Sequence, residues 1–246
     1  MVRTYGWVPD TRDARDDAFI LKAPRGVAIP AESNMEALCS RMEDQGQKGT
    51  CTGQVFADYM EMRDRWLGKG FVELSRLFIY WNERYLNDLI YADSGARIRD
   101  GIKALKKWGV CNEELWPYDL DRFTEKPSRE AYKDAKSRRI KYYRPVKTLD
   151  DIRYALSQGL PVAYGFIVYE SFDTLEVAKT GNVPYPKRGE KPRGGHANLL
   201  VGYKDSIEIF RSKNSYGTGF GDKGFLNIPY AFFENGIAFD CWVIET

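Results

Sequence analysis

The sequence predicts an α+β fold, with helices in its first half and strands in its second. Two observations carry this. Between residues 54 and 109 apolar side chains recur at helical spacing. Between 161 and 232 β-branched and aromatic residues run in short stretches cut by Gly-rich turns. Size is a third guide. A chain of 246 residues, 43% of them hydrophobic, suffices for one large domain or two intimate lobes around a real core.

The elements follow in order. Residues 1–33 read as irregular, with Pro9, Pro24, Pro30 and a dense Asp/Arg patch. "DQGQKGTCTG" (44–53) is a glycine-punctuated loop that runs into "QVFADYMEMRDRWL", where Val55, Tyr59, Met62 and Trp66 share a helix face. Further helices are expected over 75–91, 96–109, 128–139 and 147–159, with Gly109 and Gly159 as stops. Strands are expected over 161–169, 196–204, 206–214 and 224–232. A groove between a helical and a β-rich part is a natural place for a substrate.

Composition excludes several classes. Net charge is +2, so no global field favours nucleic acid or an anionic membrane. The basic run "KDAKSRRIKYYRPVK" (133–147) reads as a solvated face. The most apolar stretch, "GLPVAYGFIVY" (159–169), is too short to span a bilayer. The N-terminus lacks the apolar run of a secretory signal, so a cytoplasmic, reducing location is expected. Cysteines 39, 51, 111 and 241 form no CxxC pair, which argues against a structural zinc and a disulfide framework. No metal or organic cofactor is implied.

Three short stretches carry chemistry. Cys51 sits where a loop becomes a helix, and the positive end of the helix dipole favours a thiolate. The alternative is a small buried hydrophobe. His196, the only histidine, follows Gly194 and Gly195 and begins an apolar strand. It is either a core histidine or a base near neutral pH. Asn214 enters the Gly-rich loop "KNSYGTGFGDKGF" (213–225), where it would either orient a ring or cap a turn.

Together "DQGQKGTC", "GGHANLLVGY" and "KNSYGTGFGDKGF" resemble the papain-type cysteine peptidases. Their order matches, and His196 follows Cys51 by about 145 residues, inside the spacing of that family. The segments 93–119 and 149–166 add to the likeness, which covers residue 31 to the end and is nearest to short, leaderless bacterial-type members. The resemblance implies a two-lobed fold with an α-rich left lobe (31–120) and an antiparallel β-barrel-like right lobe (121–246). The active site lies between them, and residues 1–30 are an extension.

The resemblance also implies roles. Cys51 is the nucleophile, His196 its base and acid, and Asn214 orients the ring. Gln45 donates to the oxyanion, and Gln47 is a competitor at the wrong spacing. Ser94 and Gly95 match the glycine-rich groove wall, with Gly195, Tyr216 and Phe220 as further substrate-side residues. The implied partner is a peptide or protein substrate, with self-inhibition by an N-terminal strap as an added possibility. "GWVPD" (6–10) supplies the anchor and bend for it; the alternative is a strap packed across the back of the lobes. Lys48 stands where secreted members carry a cysteine, Thr52 where an aromatic is usual, and Tyr216 and Phe220 where tryptophans are. The implied reaction is peptide-bond hydrolysis through an acyl-enzyme. The alternatives are a peptide ligase or transpeptidase on the same residues, and a silent peptidase-shaped binding module.

Overall fold

The computed structural model describes residues 4–245. Three helices come first: α1 (Cys51–Trp66), α2 (Arg76–Tyr85) and α3 (Ile98–Lys107). α1 starts where the glycine-punctuated loop ends. From Cys51 to Met62 every one of its residues is buried, so it is a central helix and not an amphipathic surface one. It packs against α2 and against strand β4 of the sheet described below. Trp66, expected on its buried face, is half exposed at the helix end.

Local chemistry sets the helix limits. The Ser75 side chain accepts from the Phe78 N–H at 3.1 Å and caps α2. α2 ends at Tyr85, earlier than the apolar pattern suggests. Asp88 takes a positive φ of 57°, and Leu89 and Tyr91 beyond it are exposed. Gly109 adopts a φ of 82° just beyond α3, and Gly159 one of 72° just beyond α5 (Leu149–Ser157), as a left-handed stop requires.

The basic run splits into three. α4 (Arg129–Ala135) leads into a 3-10 turn and then strand β2 (Tyr142–Val146). β2 pairs with the last strand, β7 (Ala238–Glu245). Neither strand was expected. β3 (Val162–Tyr169), β4 (Pro192–Lys204), β5 (Ile209–Lys213) and β6 (Phe225–Pro229) complete the path β2-β7-β3-β4-β5-β6. All these pairs are antiparallel. Short β1 (Glu32–Asn34) joins the far end of β4. Two short helices, α6 (Leu175–Thr180) and α7 (Ala231–Glu234), lie between strands. α7 takes over the end of the expected strand 224–232.

A buried ionic cluster ties α1 and α2 to the sheet. Lys213 at the end of β5 donates to Asp58 at 2.6 Å. Arg76 reaches Asp58 at 3.1 Å and Glu61 at 3.2 Å. All four residues are almost completely buried. Each charge there has a partner, the condition under which buried ions are tolerated. All four cysteines are free thiols. Among the described residues no helix is long and apolar enough to cross a membrane.

Candidate active site

β4 and β5 are paired in a register that sets Leu199 opposite Lys213. His196 and Asn198 therefore face the side on which Asn214 leaves β5. His196 Nε2 lies 2.9 Å from Asn214 Oδ1. With the ring N–H donating to the amide oxygen, Nδ1 is left as the basic nitrogen. Tyr216 stacks on the His196 ring, with centroids 4.7 Å apart and planes at 19°. Phe220 stands edge-on to Tyr216 at 5.2 Å. Tyr216 thus covers one face of the His196 ring, and Phe220 backs Tyr216.

Cys51 opens α1 and is fully buried. Its sulfur is reached by backbone amides of Ala197, Gly6 and Thr52. Ala197 is the residue after His196, so the start of α1 meets the start of the β4 core. Burial pushes the Cys51 thiol up to about 12, and the three amides only partly oppose this. The expected thiolate bias of the helix N-terminus is thus outweighed while the groove is filled.

Gln45 is also fully buried. Its Oε1 accepts from the Ser215 hydroxyl at 2.6 Å, which turns its Nε2 toward the groove. That Nε2 donates to the Lys48 carbonyl at 2.9 Å and to the Thr4 carbonyl at 3.3 Å. Gln47 contributes only its backbone carbonyl, which accepts from the Thr4 hydroxyl at 2.9 Å. Sequence reading missed Ser215, although it directly follows Asn214. It also missed Asp93, which holds the loop before Cys51 by accepting from the Gly49 N–H at 3.0 Å.

The groove beside Cys51 is occupied by the chain's own residues 4–10. The Ala96 N–H donates to the Gly6 carbonyl at 2.9 Å, and the Val8 N–H to the Ala96 carbonyl at 3.0 Å. The Trp7 N–H donates to the Gly195 carbonyl at 2.9 Å. This is a strand added in parallel to the wall at 95–96. Two glycines make this close approach possible. A Cβ on Gly6 would sit 2.0 Å from the Gly49 carbonyl oxygen, and one on Gly95 would sit 2.0 Å from that of Gly6. The Trp7 ring is buried over Gly165 and Gly195 and lies edge-on to Phe239 at 4.8 Å.

Gly95 and Gly195 thus touch the strap directly. The Ser94 hydroxyl donates to the Gly95 carbonyl at 3.0 Å. Thr52 is buried and donates to Glu83 at 2.7 Å. Lys48 lays its ammonium over the Phe123 ring at 4.2 Å.

The extension runs along two parts of the fold. Residues 4–10 lie in the groove. Further along, the strap crosses the sheet side of the molecule. The Leu21 N–H donates to the Pro145 carbonyl at 2.9 Å, and the Ala23 N–H to Asp151 at 2.8 Å.

The family model of the papain family cysteine proteases matches residues 31–240. The chain belongs to this family. An uncharacterized peptidase C1-like protein of Acanthamoeba polyphaga mimivirus is 42% identical over 82% of the chain and 68% of its own length. The thiol protease aleurain of Arabidopsis thaliana is 27% identical over 96% of the chain and 60% of its own length. Among solved structures, xylellain, a cysteine protease from Xylella fastidiosa, superposes with a TM-score of 0.91 at 37% identity. That match covers 98% of this chain and 96% of the other. Procathepsin L 3 of Tenebrio molitor shares the fold at a TM-score of 0.72 and 18% identity, over 92% of this chain and 74% of its own. The α+β architecture of helices and an antiparallel sheet is that of papain-like proteases, and the protein is a papain-like cysteine peptidase.

Proposed function

We propose that this peptidase hydrolyses peptide bonds with Cys51 as nucleophile, His196 as base and acid, and Asn214 as the orienting group. The observation that carries the reading is the 2.9 Å contact between His196 and Asn214 beside the helix that Cys51 opens. His196 Nδ1 takes the thiol proton, and the sulfur attacks the peptide carbonyl carbon. The tetrahedral oxyanion is met by Gln45 Nε2 and the Cys51 N–H. His196 returns its proton to the leaving amine. The thioester is then opened by water, which His196 deprotonates. Asn214 holds the ring through Nε2–H, and the thiolate–imidazolium pair supplies the charge that a carboxylate supplies elsewhere.

The strap supports this assignment from the other side. Its Thr4 carbonyl accepts from the same Gln45 Nε2 that would serve the oxyanion. With residues 4–10 in place, no peptide reaches Cys51, so the strap inhibits its own enzyme. Gly95 and Gly195 would bind the substrate backbone once the strap leaves. Tyr216 and Phe220 act as shields of the ring. An amine acceptor in place of water has no observation in its favour.

The test is turnover of a fluorogenic peptide in a Trp7→Ala background, which loosens the strap. Cys51→Ala and His196→Ala abolish it, and Gln45→Ala lowers kcat by about 10²–10³. Turnover that survives loss of Cys51 or His196 contradicts the reading.

A further inference from the structure

We infer that Asp10 and Asp240 form a proton-held latch that keeps the strap in the groove at acidic pH and frees it as pH rises toward neutrality. The inference rests on the strap's inhibitory role proposed above. It concerns what fastens the strap, away from Cys51.

Asp10 is the last residue of the stretch in the groove. Asp240 lies on β7, where it takes a φ of 52°. The Asp10 N–H donates to Asp240 Oδ2 at 2.7 Å. The Asp10 carboxyl accepts from the Arg99 N–H at 3.1 Å and from the Trp242 indole N–H at 3.0 Å. Two half-buried carboxyl groups are therefore brought together by the docking of the strap.

Among the described residues neither makes a salt bridge. The Arg99 guanidinium of α3 is bonded by both amino groups to Asp16, with Asp13 3.9 Å away, and that of Arg97, just before α3, donates to the Pro9 carbonyl. From β7 the facing groups are Asp240 and Trp242, and from α3 and its N-cap Arg99 and Arg97, the latter also 3.7 Å from Asp100. From the strap's own 3-10 turn (Ala14–Ala18) they are Asp13 and Asp16. Arg12, Asp17 and Lys147 line a cavity of about 550 Å³ beside the pair, and Lys147 is bonded to Asp17. Two neighbouring carboxylates without a cation of their own hold a proton more tightly than either would in water.

Burial and the Asp240 charge together raise the Asp10 carboxyl to about 7 in the docked strap. Once the strap lifts, Asp10 is an ordinary surface aspartate. Docking therefore takes up a proton. The stabilisation is fully present below the ordinary aspartate range and is lost as pH rises through about 7. Within that window docking weakens by about tenfold per pH unit. The cation-paired Asp13 has the opposite sign. Its carboxyl is held down by Arg15, so it titrates far below this window.

Amide hydrogen exchange on the full chain tests the latch without relying on catalysis. The observables are the protection factors of the Trp7 and Val8 N–H groups between pH 5.5 and 7.5. These are already corrected for the pH dependence of exchange chemistry. They are expected to fall by about tenfold per pH unit and level off above 7. In Asp10→Asn they stay flat across the range. Asp240→Asn keeps an acceptor for the Asp10 N–H but removes the neighbouring charge, so the fall becomes shallower. Flat protection in the wild type, or an unchanged slope in both variants, overturns the latch. Turnover of a peptide over the same range separates the two claims. If protection falls with pH but turnover does not rise with it, the latch stands and the inhibitory reading fails.

Discussion

Two acidic clusters hold parts of this molecule together, and they do so on different terms. At the seam between α1, α2 and β5, Asp58 and Glu61 face Arg76 and Lys213, and every charge is answered. At the seam between strap and β7, Asp240 accepts from the Asp10 N–H, and the Arg99 guanidinium is taken by Asp16. The first seam joins the helices to the strand that presents Asn214 and has no reason to open. The second joins the N-terminal strap to the rest of the fold. A fully paired cluster makes a permanent joint, whereas two neighbouring carboxyl groups without an ion pair make one that solvent conditions can undo.

The contrast can be broken from either side. Arg76→Met leaves Asp58 and Glu61 buried with one cation between them. It is expected to cost about 3–5 kcal/mol of global stability in urea unfolding. Strap protection relative to global unfolding stays as before, because the second seam is untouched. A smaller, local effect is expected of Trp7→Ala. Removing the buried indole weakens strap docking by about 3 kcal/mol, roughly a hundredfold in peptide turnover, with urea unfolding of the rest nearly unchanged. If turnover does not rise, the strap is held by something other than its anchor.

Glu83 sharpens the same lesson inside the fold. It is fully buried, and among the described residues the one hydrogen-bonding partner of its carboxyl is the Thr52 hydroxyl. Burial raises its carboxyl to about 8, with the Asp100 charge adding to the effect. A raised carboxyl is neutral in the fold and ionises readily in the unfolded chain. Its contribution is therefore complete below the ordinary glutamate range and drains away as pH rises toward 8. The wild type is expected to lose about 1.4 kcal/mol per pH unit relative to Glu83→Gln between pH 5 and 8. Urea unfolding of both proteins at four pH values reads this directly. Parallel stability curves would mean that Glu83 is ionised in the fold.

Much of this was legible in the sequence, and the exceptions have causes. The helices around α1 and the strands β3 to β5 carry local periodicity. The residues now proposed for catalysis sit in three local motifs. β2 was hidden because Pro145 and a basic run make an edge strand look like a loop or helix. β7 was hidden because Asp240 interrupts its apolar run at a positive φ. The helix over 75–91 was drawn too long because Leu86, Leu89 and Tyr91 continue an apolar pattern that the turn at Asp88 puts outside. The Ser215–Gln45 bond and the Asp10–Asp240 pair join residues 170 and 230 apart, and no local pattern reports such a contact.

The measurement that tests the central claim most directly is the intact mass after brief exposure to a peptidyl epoxide, which reacts with an activated thiol in an open groove. The full chain is compared with Trp7→Ala and with Trp7→Ala/His196→Ala. A single adduct on Cys51 is expected, slow in the full chain, fast in Trp7→Ala and absent once His196 is gone. Equal labelling with and without His196, or an adduct on Cys39, Cys111 or Cys241, would contradict a Cys51–His196 pair beneath the strap.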